Sequence, residues 1–165
     1  MRKGLAFAIA LGITGIGSVS AETKFTPATG PACKDESKDE FGLWTCPGPA
    51  GYVARFADEG NIVSLTIAPR RAIEKVSGPT AQWRGAGKAF GDKVQWIMQA
   101  GVPKAAIIRT WRRDDDEKEI QELSIFAISG AKACLSGAVE IHTDKVNDAA
   151  LARAEQAADS GCPEK

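Results

Sequence analysis

The chain is poor in the residues that most site chemistries require. Its 165 residues include one histidine, His142, one tyrosine and two methionines. No two cysteines have C-x-x-C spacing, and with a single histidine the common zinc-ligand patterns are missing. Excess charge is missing as well, since 21 Lys and Arg residues face 21 Asp and Glu residues. A nucleic-acid binder needs a basic stripe, and a solvated acidic chain needs a large negative excess; this composition offers neither. The one long apolar run is shorter than the ~20 residues that span a bilayer, and it is interrupted by glycine. The phosphate-loop signature is also broken. Gly85, Gly87 and Gly91 are spaced G-x-G-x-x-x-G, and Ala89 follows Lys88 where a P-loop requires Ser or Thr. That segment reads as a surface loop.

What is present begins with an export signal. Arg2 and Lys3 precede an apolar stretch from Leu5 to Ile16, and Val19 and Ala21 occupy the small-residue positions read by a signal peptidase. The expected signal peptide is 1–21, cut between Ala21 and Glu22, which places the mature protein in the periplasm or outside the cell with no membrane span. Two basic residues leave with the signal, so the mature chain carries about −2 and steers charged partners weakly. Cys33, Cys46, Cys134 and Cys162 all follow the cleavage point. An even count in an oxidising compartment predicts two disulfides. Three pairings are available, and Cys33–Cys46 with Cys134–Cys162 closes the most local loops. The first would constrain the unfolded chain by about 3 kcal/mol.

The mature chain reads as one domain. Residues 22–40, rich in Thr, Pro, Gly, Lys and Asp, form an expected irregular N-terminal arm held by Cys33; residues 41–165 form the domain. Phe41 to Cys46 alternates like a strand, and Pro47, Gly48, Pro49 and Gly51 end it. Tyr52 to Phe56 and Ile62 to Ala68 flank the turn Asp58-Glu59-Gly60-Asn61 and predict a hairpin. Pro69 to Asp92 is the least regular part, with a helical turn at 70–76 and a stretch at 82–87 too glycine-rich for a regular element. Lys93 to Ile141 holds the main apolar clusters and predicts a meander of four strands: Val94 to Met98, Ala105 to Arg112, Leu123 to Ser129 and Lys132 to Ile141. The third is apolar on both faces, as for a strand covered on each side. Thr143 or Asn147 caps a final helix whose apolar, mostly alanine face is Ala150, Leu151, Ala154, Ala157 and Ala158, and Gly161 ends it. The expected fold class is α+β: an antiparallel sheet of about six strands with one C-terminal helix packed on it.

Several segments carry a resemblance. W-T-C-P-G-P-A-G-Y at 44–52, G-D-K-V-Q-W at 91–96, P-K-A-A-I-I-R at 103–109, A-C-L-S-G-A-V at 133–139 and A-A-L-A-R-A at 149–154 resemble a group of small exported alphaproteobacterial proteins of uncharacterised function. The resemblance spans most of the mature chain. It implies an exported domain and supplies no catalytic residues.

Two functional readings follow. Trp83 and Trp111 are each followed by arginine, Arg84 and Arg112, and exposed Trp with Arg is the pairing that anchors protein interfaces. Against this, a tryptophan in a small domain is by default core, with its arginine neighbour reaching out to solvent. The favoured reading is a non-catalytic protein-binding or inhibitor-like module, with no cofactor, that meets another periplasmic or envelope protein. The lysozyme inhibitors, also small disulfide-tied periplasmic sheets, serve such a role, which is analogy of body plan alone. The alternative is a small hydrolase using Ser136, or Ser129, with His142 and Asp144; no G-x-S-x-G surrounds either serine. Asp114, Asp115 and Asp116 are adjacent and read as a solvated hairpin tip.

Overall fold

The computed structural model describes residues 21–163, so the signal-peptide reading lies, but for Ala21, outside the described residues. These contain nine strands, β1 (Glu22–Pro27), β2 (Lys34–Asp35), β3 (Gly42–Pro47), β4 (Tyr52–Asp58), β5 (Ile62–Pro69), β6 (Ala81–Gln99), β7 (Val102–Arg113), β8 (Glu119–Ser129) and β9 (Lys132–Glu140), and one α-helix, α1 (Val146–Ser160). The sheet is antiparallel throughout. It runs in chain order from β2 to β9, with β1 added beside β6. The fold is therefore mostly antiparallel β with a single C-terminal helix, which corrects the α+β expectation of about six strands.

Two segments account for the correction. The first is the arm at 22–40, expected to be irregular. Its Glu22–Pro27 part pairs residue for residue with Met98 to Lys93 of β6. The indole of Trp96 donates to Thr26 Oγ1 at 2.7 Å, and that of Trp44 donates to the Ala28 carbonyl at 2.8 Å. These partners lie far along the chain, so local propensity could not announce the strand. The second segment is the glycine-rich 82–87, which is not a loop but the start of the 19-residue β6.

The glycines make this strand a corner. Gly85 faces Arg112 and Val94 faces Ile108, so nine steps along β6 match four along β7. Extra residues of this kind bend a strand and increase its twist. A Cβ on Gly85 would lie 3.0 Å from Val63 Cγ1, and one on Gly91 would lie 3.0 Å from Arg109 Cβ. The close packing of Val63 and Arg109 against the bend thus favours glycine there. Upstream of the corner β6 pairs with β5, and downstream it pairs with β1 and β7. The sheet folds back on itself across this strand.

Each layer then has its own core. On the inner face, Phe56, Leu65 and Ile67 from the first half pack with Trp96, Ile108 and Phe126 from the second. On the outer face, Ile97, Ile107 and Ile125 pack against Ala150, Ala154 and Ala157 of α1. Alanine side chains let the helix lie close on the sheet. The strand read as apolar on both faces is β8, buried along most of its length. α1 begins without the expected cap. Neither Thr143 nor Asn147 occupies the N-cap; the chain leaves β9 through a turn that puts Lys145 there, in the left-handed region at φ 49°. Gly161 ends the helix at φ 66°. Both disulfides are formed as expected, Cys33–Cys46 and Cys134–Cys162, and the second ties the end of α1 to β9. No helix among the described residues is long and apolar enough to cross a membrane.

Arg55 gathers the outer face of the first half. It bonds Thr45 Oγ1 at 3.0 Å, pairs with Glu74, and lies 3.6 Å from Glu36. Hydrogen bonds from Lys34 and Thr45 hold the Glu36 carboxyl below its ordinary value of 4.5, and the Arg55 hydrogen bond does the same for Glu74. A carboxylate whose folded pKa is depressed stabilises the fold above its unfolded value and loses that contribution as pH falls through the folded one. The melting-temperature gap between the wild type and Arg55→Ala is therefore expected to be full near neutrality and to shrink as pH drops below 4.5; a gap independent of pH would refute the pairing.

Glycine at 48 tests the packing. A Cβ there would lie 2.8 Å from Cζ2 of the fully buried Trp96, whereas one on Gly137 meets nothing within 4 Å. Urea unfolding is expected to show a loss of about 1–3 kcal/mol for Gly48→Ala and a change within about 0.5 kcal/mol for Gly137→Ala.

Candidate binding groove

Strand alternation divides the four residues first singled out for binding. Trp83 faces inward, its ring 5.5 Å from that of Phe90 and packed on the inner core. Its Nε1 is buried without a hydrogen-bond partner among the described residues. Arg112, two residues beyond the buried Thr110 on β7, also turns inward and clasps Glu122 with bonds of 3.1 and 3.2 Å. Glu122 in turn adjoins Ser124, whose hydroxyl lies 2.7 Å from that of Thr110. Thr110, Ser124 and Glu122 are buried, and Arg112, about a third exposed, reaches in to complete a polar string. Arg84 and Trp111 point the other way. Arg84 is exposed and pairs with Glu117 at the β7–β8 tip. Of the four, Trp111 lines a groove.

That groove lies on the outer face of β6 and β7, where α1 stops short of covering the sheet. Its volume is about 490 Å³. Ile107 and Leu123 line it beside Gln95, and Asn147 from the first turn of α1 closes one end. Phe25, in the arm expected to be irregular, stands at one side with 62 % of its surface exposed. It is there because β1 sets Phe25 opposite Gln95. Trp111 stands at the other side with the Lys88 ammonium 5.4 Å from its ring centroid, a distance at which a cation is drawn to the π face. Lys88 also pairs with Asp92 at 2.9 Å. Lys93 and Arg109 line the same groove, and among the described residues neither has a carboxylate within salt-bridge distance. Gly91 lies against Arg109 Cβ, so a side chain there would crowd the stem of that arginine. The lining therefore carries three cations against one carboxylate, with two aromatic rings.

The hydrolase residues are not assembled. Ser136 is exposed on β9, at the bulge between Leu135 and Gly137, and lines a cavity with Arg153 and Gln156 of α1. His142 and Asp144 are exposed in the turn between β9 and α1 and line a different one. The four steps from Ser136 to Glu140 alone span roughly 13 Å of extended strand, beyond hydrogen-bond reach of His142. Ser129 instead accepts from the Cys162 amide at 3.0 Å. Asp114 stabilises the hairpin tip by accepting from the amides of Asp116 and Lys118. Among the described residues no three His, Cys, Asp or Glu side chains are placed to hold a metal ion.

Compared with known proteins, the chain matches no family model, no curated protein and no solved structure.

The inward and outward arginines separate by stability. Arg112→Ala leaves the Glu122 carboxylate, whose side chain is 10 % exposed, without its charged partner, and chemical unfolding is expected to show a loss of about 2 kcal/mol. Arg84→Ala removes only an exposed pair and is expected to change stability by less than about 1 kcal/mol. Equal losses would contradict the opposed orientation.

Proposed function

We propose that this chain is an exported, non-catalytic protein-binding module, working in the periplasm after cleavage between Ala21 and Glu22, with the groove between Phe25 and Trp111 as its contact surface. The observation that carries this reading is the pair of aromatic side chains standing beside an uncovered strip of sheet, one of them with most of its surface in water. A large exposed aromatic ring beside an arginine is the composition of an interface centre. Two disulfides suit an oxidising compartment. The groove also refines the choice of residues: Trp111 is kept, and Phe25 and Arg109 take the place of Trp83, Arg84 and Arg112.

The test is capture of a partner from periplasmic extract by the mature, oxidised protein, followed by titration of the purified pair. Phe25→Ala/Trp111→Ala is compared with Arg84→Ala, which lies outside the groove, after circular dichroism has shown that both variants are folded. Loss of the aromatic pair is expected to weaken binding at least about 30-fold, the equivalent of one hot spot, with Arg84→Ala near wild type. A partner bound equally well by the aromatic variant would refute the groove as the contact surface.

A further inference from the structure

Resting on that reading, we infer that the segment received by the groove is an acidic, extended peptide of the partner, whose carboxylates meet Arg109 and Lys93 while an apolar side chain lies between Phe25 and Trp111. The local charge runs against the global one. The mature chain is slightly negative, yet Lys88, Lys93 and Arg109 surround this groove with Asp92 as the one opposing group. Lys88 is already engaged by Asp92 and by the Trp111 ring, which leaves Arg109 and Lys93 to receive an incoming anion. A guanidinium presents a planar fork that suits a carboxylate in a bidentate arrangement. The first turn of α1 adds the positive end of its dipole at the Asn147 end of the groove.

The shape argues for a segment of a larger molecule. Small-molecule sites enclose about 70–90 % of their ligand, whereas this groove is open to solvent along a sheet face and would leave much of a free small molecule in water. Three cations around one groove are too few for the basic stripe that tracks a nucleic-acid backbone. Apolar Ile107 and Leu123, with an exposed ring at the side, suit alternating apolar and acidic side chains better than a bare headgroup.

The experiment is an amide and side-chain NMR titration of the mature, oxidised protein with a short blocked peptide alternating glutamate and phenylalanine. Its glutamine counterpart and phosphatidylglycerol vesicles serve as comparison probes. The glutamate peptide is expected to shift resonances of Phe25, Lys93, Arg109 and Trp111 and to saturate. Arg109→Gln, or replacement of glutamate by glutamine, is expected to weaken binding about tenfold or more. High salt should weaken it as well. Equal binding of the two peptides would overturn the acidic assignment but leave the protein-binding reading intact if partner capture still depends on Phe25 and Trp111. Failure of the glutamate peptide to bind would overturn the assignment, as would Arg109-dependent binding to vesicles alone, which would identify an anionic lipid surface instead. Loss of the Phe25 and Trp111 dependence in the capture assay would remove the protein-binding reading itself.

Discussion

The structure depends on one strand belonging to two halves of a folded sheet. β6 gives its first residues to β5 and its later ones to β1 and β7, and between these it must bend without losing its ladder. A bend of that kind needs extra residues and room for the neighbours that pack against it, and Gly85 and Gly91 supply the second. Once β6 turns, the aromatic residues of both halves meet. Phe90, at the turn, makes edge contacts with Phe56, Trp44 and Trp83. The inner core is the consequence of the bend, and the outer face of β6, β7 and β8 is left for α1 to cover.

The helix covers only part of that face, and the groove is what it leaves. Each wall has a separate physical origin. Phe25 arrives through a strand fastened by two indole hydrogen bonds. Arg109 and Trp111 arrive by the two-residue alternation of β7, which sends Ile108 and Thr110 into the core and their neighbours out. Gly91 keeps the stem of Arg109 uncrowded. Cationic side chains that a linear reading scatters through a charge-balanced chain are thereby concentrated at one place. The inner end of the sheet shows the opposite outcome, where Arg112 is taken up by Glu122 in a polar string with the buried Ser124 and Thr110.

Much of the framework was legible in local pattern. The hairpin of β4 and β5, the meander from β7 to β9, the alanine face of α1 and its Gly161 stop all follow from periodicity and breaker residues, which act over a few positions. The preferred disulfide pairing followed from loop length. The misses share a cause. β1 has no hydrophobic period because its side chains are mostly exposed and its order comes from β6 and two distant tryptophans. The glycine-rich start of β6 looked like a loop because glycine weakens an isolated strand, although here close packing of Val63 and Arg109 makes glycine fit. Lys145 displaced Thr143 and Asn147 at the helix start because the turn from β9 fixes where the helix begins.

The sequence by itself determined the redox chemistry of the four cysteines, the near-neutral charge, the scarcity of metal-ligating residues and the identity of most strands, since composition and short-range alternation specify these without any partner. Only the tertiary structure decided that Trp83 and Arg112 turn inward while Trp111 turns out, that Ser136 and His142 stay apart, and that Phe25 joins Arg109 across a groove. Those outcomes depend on register, and register is set by contacts between strands distant in the chain: a shift of one residue would exchange every inward and outward side chain.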